Sequence, residues 1–228
     1  MTSTKISTSQ KTTTISVTML LSSSCPHCPT VLEGLMPLIK SGQISNLNII
    51  NLTEQPEAVE IYNTRTVPWV QFTFPLGSFE LEGLHSESEL QEWCNNSKTL
   101  EGISKYCFML LDQGKINDLT NLLNDYPDWL HATLLLVEDV DTSLSIRVGI
   151  SAIFESLEAK QLNTIYEALL MMTKNNLARI RSDACFYLSL TKNKDAITTL
   201  KECLLDENKE VKEIAAEAIA DLEELKTV

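Results

Sequence analysis

The segment Cys25-Pro26-His27-Cys28-Pro29 holds the residues whose types and spacing can do chemistry. Two cysteines separated by two residues can bind a metal, exchange disulfides or sit inert. Their position favours exchange. They lie where an apolar, β-type run from Ile15 to Leu21 gives way to an amphipathic helical pattern from Thr30 to Lys40. A helix N-terminus presents unpaired N–H groups and about half a positive charge, which stabilise a thiolate. The thiolate is the attacking species in disulfide chemistry, and such positions lower a cysteine pKa from about 8.5 by one to several units. A zinc site asks for four ligands. One Cys-x-x-Cys is present, and His85 and His131 have no ligand spacing around it, so no metal is expected.

The elements that must position this pair follow from the patterning. After the helix comes a turn at Ser41-Gly42 and a β-rich run, Leu47 to Leu52. Pro56 opens a short helix, Glu57 to Tyr62, as a first-turn proline. A strand approached through proline spans Thr64 to Phe74, and Pro75 to Gly77 turns it into the alternating run Ser78 to Gly83. Ser86 caps a helix, Glu87 to Cys94, with Glu89 as its capping-box partner. The expected order is β-α-β-α-β-β-α. From Lys98 onward strand signals vanish and amphipathic helices follow one another, broken at Gly114, Tyr126-Pro127 and Asn175-Asn176. Three segments in this region align: Ile146-Arg147, Ile180-Arg181 and Val211-Lys212, each a branched apolar residue and a base opening a small-residue-rich helix. The base is expected to satisfy an acid in the preceding turn, with Asp139 and Asp206 as candidates for the first and third copies.

Composition narrows the function classes. The 228 residues suit two domains, and the formal net charge of −13 argues against nucleic acid and anionic membranes as partners. No run approaches the roughly 20 apolar residues of a membrane span. Residues 1–14 read as a flexible Ser/Thr-rich segment, and the short apolar run after them as a strand rather than a signal peptide. Beyond the motif, Cys94, Cys107, Cys185 and Cys203 are scattered singly along apolar helical faces. Free cysteine there behaves as a small hydrophobe, and the usage suits a reducing cytoplasm. Tyr106, Cys107, Phe108 and Met109 read as a buried helix face and His131 as a packing residue. Trp69 could be a substrate platform or a core residue.

Cys25-Pro26-His27-Cys28, together with Thr66-Val67-Pro68 ahead of the third strand, resembles the thioredoxin superfamily in its minimal, glutaredoxin-like form. The resemblance covers Ile15 to Ser97, giving an α/β thioredoxin-like domain over 15–97. It implies a cis proline at Pro68 facing the sulfurs, with Thr66, Val67 and Pro68 as the substrate-binding rim. It also implies Cys25 as nucleophile, Cys28 as resolving thiol, and Pro26 and His27 as the residues that tune the thiolate. The first strand lacks the buried acid of many thioredoxins, and Gly83-Leu84-His85-Ser86 lacks the pattern by which glutaredoxins hold glutathione. Residues 98–228 resemble HEAT-like repeats, specifically from Val140 to Leu225, an all-α solenoid that docks proteins. Together these imply a cytoplasmic protein-disulfide oxidoreductase that uses no cofactor beyond its cysteine pair. Its partners would be a protein disulfide client and a thiol or reductase electron donor. The alternative is a redox-responsive adaptor in which the pair tunes partner affinity without turnover.

Overall fold

The structure, a computed structural model, describes residues 14–224. The expected flexible N-terminal segment, apart from Thr14, and residues 225–228 lie outside the described residues. The chain divides into two compact units between Lys98 and Thr99.

The N-terminal unit follows the order β1 (Ser16–Leu21), α1 (Cys28–Lys40), β2 (Asn46–Asn51), α2 (Ala58–Ile61), β3 (Trp69–Phe74), β4 (Gly77–Glu82) and α3 (Glu87–Asn96). The four strands form one mixed sheet in the order β2-β1-β3-β4. β1 pairs in parallel with β2, and α1 supplies the crossover that a parallel pair requires. β1 and β3 run antiparallel, as do β3 and β4, which are joined by a two-residue turn between Phe74 and Gly77. The central β1 buries Val17, Met19 and Leu20, residues of both parities, so both of its faces are covered. Val31, Leu35 and Leu38 of α1 and Leu90 of α3 complete this core with Val70, Phe72, Phe79 and Leu81.

Local chemistry explains where the elements begin. α1 starts at Cys28 rather than Thr30 because Pro29 sits in its first turn, where a missing N–H costs no hydrogen bond. β3 starts only at Trp69. The residues Thr64 to Val67 ahead of it make no ladder, and the Val67–Pro68 bond is cis. Ser86 and Glu89 form the reciprocal capping box, and α3 runs on to Asn96. α1 and α3 meet at Gly34, where a Cβ would stand 2.9 Å from Leu90 Cδ1 and 3.2 Å from Glu87 Cα. That glycine is needed for its small size.

The second unit shows no strand among the described residues. Its helices are α4 (Leu100–Asp112), α5 (Ile116–Asp125), α6 (Leu130–Glu138), α7 (Leu144–Ser156), α8 (Ala159–Leu162), α9 (Tyr166–Met172), α10 (Ala178–Leu190), α11 (Ala196–Cys203) and α12 (Lys209–Glu224). α10 packs against α12 and α9, α11 against α12, and α4 against α6. Small buried residues, Ala184 in α10 and Ala215 and Ala218 in α12, suit close helix contact. Tyr106 and Cys107 are buried as expected, whereas Phe108 is 40% exposed. No helix among the described residues is long and apolar enough to cross a membrane.

The ionic links between the aligned segments run in the direction opposite to the expected one. Arg147 of the first copy reaches forward to Asp183 in α10 at 3.4 Å rather than back to Asp139, whose backbone carbonyl instead accepts from Arg179. Arg181 of the second copy grips Asp206 with two bonds, Nε–H to Oδ2 at 2.7 Å and Nη2–H to Oδ1 at 2.8 Å. Asp206 therefore bonds directly to the second copy, while Lys212 of the third copy acts on it only through its charge. The remaining nitrogen of Arg181 donates to the carbonyls of Asn175 and Asn176. A hydroxyl pair, Ser151 and Tyr187 at 2.9 Å, adds a neutral link between the first and second copies.

Candidate functional site

The sheet registers bring three chain segments to one end of the N-terminal unit. Leu21 at the end of β1 is level with Asn51 at the end of β2, and Leu20 is opposite Trp69 at the start of β3. The loop leaving β1 carries Ser22, Ser23, Ser24 and Cys25. The segment entering β3 carries Thr66, Val67 and Pro68. Thus the cysteine loop and the proline segment leave neighbouring strands at the same edge.

Within the loop the two sulfurs differ in surroundings. Cys25 is half-buried, while Cys28 is 3% exposed as the first residue of α1. Both are free thiols. The Cys28 backbone N–H donates to Cys25 Sγ at 3.1 Å, one of the unpaired donors that open a helix. The Cys28 thiol is pushed up to about 11, first by burial and then by the neighbouring Cys25 side chain. The Ser22 backbone opposes that shift. No carboxylate acts on Cys28. Cys25 thus has a backbone donor behind it, and burial keeps Cys28 in its protonated form.

Ser22 links both cysteines to the rest of the sheet. Its carbonyl accepts from the Cys25 N–H at 3.1 Å. Its hydroxyl lies 3.1 Å from Ser24 Oγ and 3.3 Å from Thr53 Oγ1. Asn51 strengthens the strap, donating from Nδ2 to Ser23 Oγ at 3.0 Å and accepting from the Thr53 N–H at 3.0 Å. The Leu52 N–H donates to Leu21 O at 2.8 Å and completes it. Sequence reasoning passed over Ser22, Asn51 and Thr53. Their signal was the parallel pairing of β1 and β2, which places the residues after each strand side by side.

Other expected site residues fall as follows. Pro26 and His27 are exposed; His27 is the N-cap of α1 but makes no side-chain capping bond. Thr66 is exposed, with its N–H donating to Thr64 Oγ1 at 3.1 Å. Val67 is half-buried and Pro68 buried, and the Pro68 carbonyl accepts from Gly83 N–H at 2.8 Å. Trp69 is 1% exposed and packs against Tyr62 with ring centroids 5.3 Å apart. It is a core residue, not a platform. Among the described residues, no group of three or more His, Cys, Asp or Glu side chains is placed to hold a metal ion. No family model matches the chain, and no curated protein matches it either. The chemistry of the site therefore has to be argued from its own groups.

The arrangement can carry out thiol–disulfide exchange. A half-exposed sulfur with a backbone donor can attack, and a buried thiol three residues further on can displace what it captures. In the second unit a groove of about 440 Å³ lies between α4 and α6, lined by Phe108, Leu135 and Leu136 with Glu101, Lys105 and Asp139 at its margin.

Proposed function

We propose that the chain is a thiol–disulfide oxidoreductase acting on protein disulfides, with a thioredoxin-like N-terminal unit and a HEAT-like helical unit that docks the client. The observation that carries this reading is the bond from the Cys28 N–H to Cys25 Sγ, with Cys28 itself buried. It makes the two sulfurs unequal, as a nucleophile and a resolving thiol must be. In the reductive direction the Cys25 thiolate attacks one sulfur of the client disulfide. A Cys25–client bond forms, the client S–S bond breaks, and the second client sulfur leaves as a thiolate. Cys28 then loses its proton and attacks Cys25, releasing the first client sulfur and leaving Cys25–Cys28 oxidised. The client gains two electrons and the pair loses two, which a donor dithiol restores. The chemistry requires no cofactor.

Thr66, Val67 and Pro68 would form the rim along which the client strand lies, since they leave the sheet beside the cysteine loop. The apolar groove on the helical unit supports docking, because it offers Phe108 and two leucines to a partner. Tethering there would raise the client's effective concentration at the sulfurs. A cytoplasmic setting belongs to the same proposal. The test is to trap clients with Cys28→Ser in the full chain. Mixed disulfides on Cys25 that are absent with Cys25→Ser support the reading. Covalent capture of the same proteins by Cys25→Ser overturns the choice of nucleophile. Equal rates of disulfide reduction by wild type and Cys25→Ser would leave a redox-responsive adaptor as the better account.

A further inference from the structure

The groove between α4 and α6 is one half of a longer trough in the helical unit. This first half, of about 440 Å³, is floored by Phe108, Leu135 and Leu136. A second groove, of about 310 Å³, is lined by Leu134 and Leu135 of α6 with Met171 and Met172 of α9. Leu135 belongs to both, so the two grooves meet on α6. Phe108 is left 40% exposed and Met171 72% exposed. Large apolar side chains left open side by side mark a surface that another molecule covers.

Two properties of the trough define its occupant. Its walls are the sides of α4, α6 and α9, whose backbone N–H and C=O groups are bonded within their own helices. A strand laid there would find no ladder and would bury unpaired backbone groups, whereas a helix brings its own bonds. The rim is acidic. Glu101 and Asp139 border the first groove and Glu138 the second, against Lys105 and the half-buried ring of His131. Among the described residues neither Glu138 nor Asp139 is in an ion pair. We infer that the trough is a docking site for a basic amphipathic helix of a partner protein. Its anchors, of leucine or phenylalanine size, fill the two grooves on either side of Leu135. Lysines or arginines flanking them meet Glu101, Glu138 and Asp139. Met171 and Met172 are flexible and polarizable, so the second groove adapts to anchors of different shape. The inference rests on the docking role proposed above for this unit and adds the chemistry of what docks.

The test uses the full chain carrying Cys25→Ser, so that no thiol chemistry contributes, and three fluorescein-labelled peptides of about four helical turns. One places Leu at helical spacing (i, i+3, i+4, i+7) with Lys elsewhere. A second has Glu in place of Lys, and a third alternates Leu and Lys strictly, as suits a strand. The first should bind, read by fluorescence anisotropy, with amide NMR shifts concentrated in α4, α6 and α9. The other two should bind about tenfold more weakly or less. Phe108→Ser with Met171→Ser should weaken the first peptide about tenfold, and Glu101→Lys with Glu138→Lys by a similar factor. All four positions are exposed, so the fold does not depend on them. Equal binding of the three peptides, or binding that neither pair of substitutions weakens, overturns the inference. A dimeric chain that Phe108→Ser with Met171→Ser makes monomeric also overturns it, by giving the trough to a second copy. The thiol chemistry stands or falls separately. Disulfide reduction by wild type without peptide binding overturns only the helix site, and peptide binding without any reductase activity overturns only the oxidoreductase reading.

Discussion

The two units of this chain set their cysteines differently. Cys25 and Cys28 are brought together locally, by three peptide bonds and the first turn of α1. Cys185 and Cys203 lie on two packed helices, α10 and α11, beside an arginine–aspartate clamp. The first pair leaves one sulfur half-exposed beside an edge where strands end. The second leaves only 7% of Cys203 open. The first is built by neighbouring residues and keeps one sulfur within reach of solvent, whereas the second set sits inside packed helices.

That contrast can be broken most directly by serine substitutions. Cys25→Ser should abolish reduction of a protein disulfide in the presence of a dithiol donor. Cys185→Ser should leave the rate within roughly twofold, as expected for distant, independent sites. Equal losses would erase the distinction between the pairs. Next in size is the clamp. Arg181→Met leaves Asp206 with no guanidinium at a site where both side chains are about nine-tenths covered, at 11% and 12% exposure. It should lower unfolding stability by about 2–3 kcal/mol, read by denaturant titration.

The pH response of Cys28 gives a third test. Its thiol is pushed up to about 11 from the ordinary 9.0, so burial favours the neutral form in the folded chain. Alkylation of Cys28 should rise about tenfold per pH unit and level off near pH 11, as the thiolate fraction dictates. The stability that the buried thiol contributes is complete below pH 9 and is lost as pH rises through 11. A Cys28→Ala chain should therefore show a shallower alkaline decline in melting temperature. The smallest effect belongs to the strap. Thr53→Val removes an exposed hydroxyl contact to Ser22 that is worth about 0.5–1 kcal/mol at most. It should slow disulfide reduction a few-fold with little change in melting temperature, and an unchanged rate would show that the strap does not position the cysteines.

Local features were legible in the sequence to the extent that adjacent residues decide them. The capping box of Ser86 and Glu89, the turn between Phe74 and Gly77, and the cysteines at a helix start all act over a few residues. Boundaries moved where one residue changed the local rule: Pro29 let α1 begin two residues early, and the chain ahead of Pro68 made no ladder, so β3 began late. The strap of Ser22, Asn51 and Thr53 was missed because it depends on strand register. The acid partners in the helical unit were misassigned for a similar reason. Arg147 faces Asp183 on a neighbouring helix, a contact that aligning the copies does not reveal.

The forward direction of the ionic links has a consequence for how the helical unit can be shortened. Arg147 depends on Asp183, and Arg181 depends on Asp206, so each copy leans on the one that follows it. Removing the first copy would leave Asp183 with Arg179 as a remaining cation at 3.4 Å. Removing the segment that begins at Asp206 would strand the Arg181 guanidinium with only backbone carbonyls to receive it. The array is therefore divisible from one end and not from the other, and truncations should be tolerated in that order.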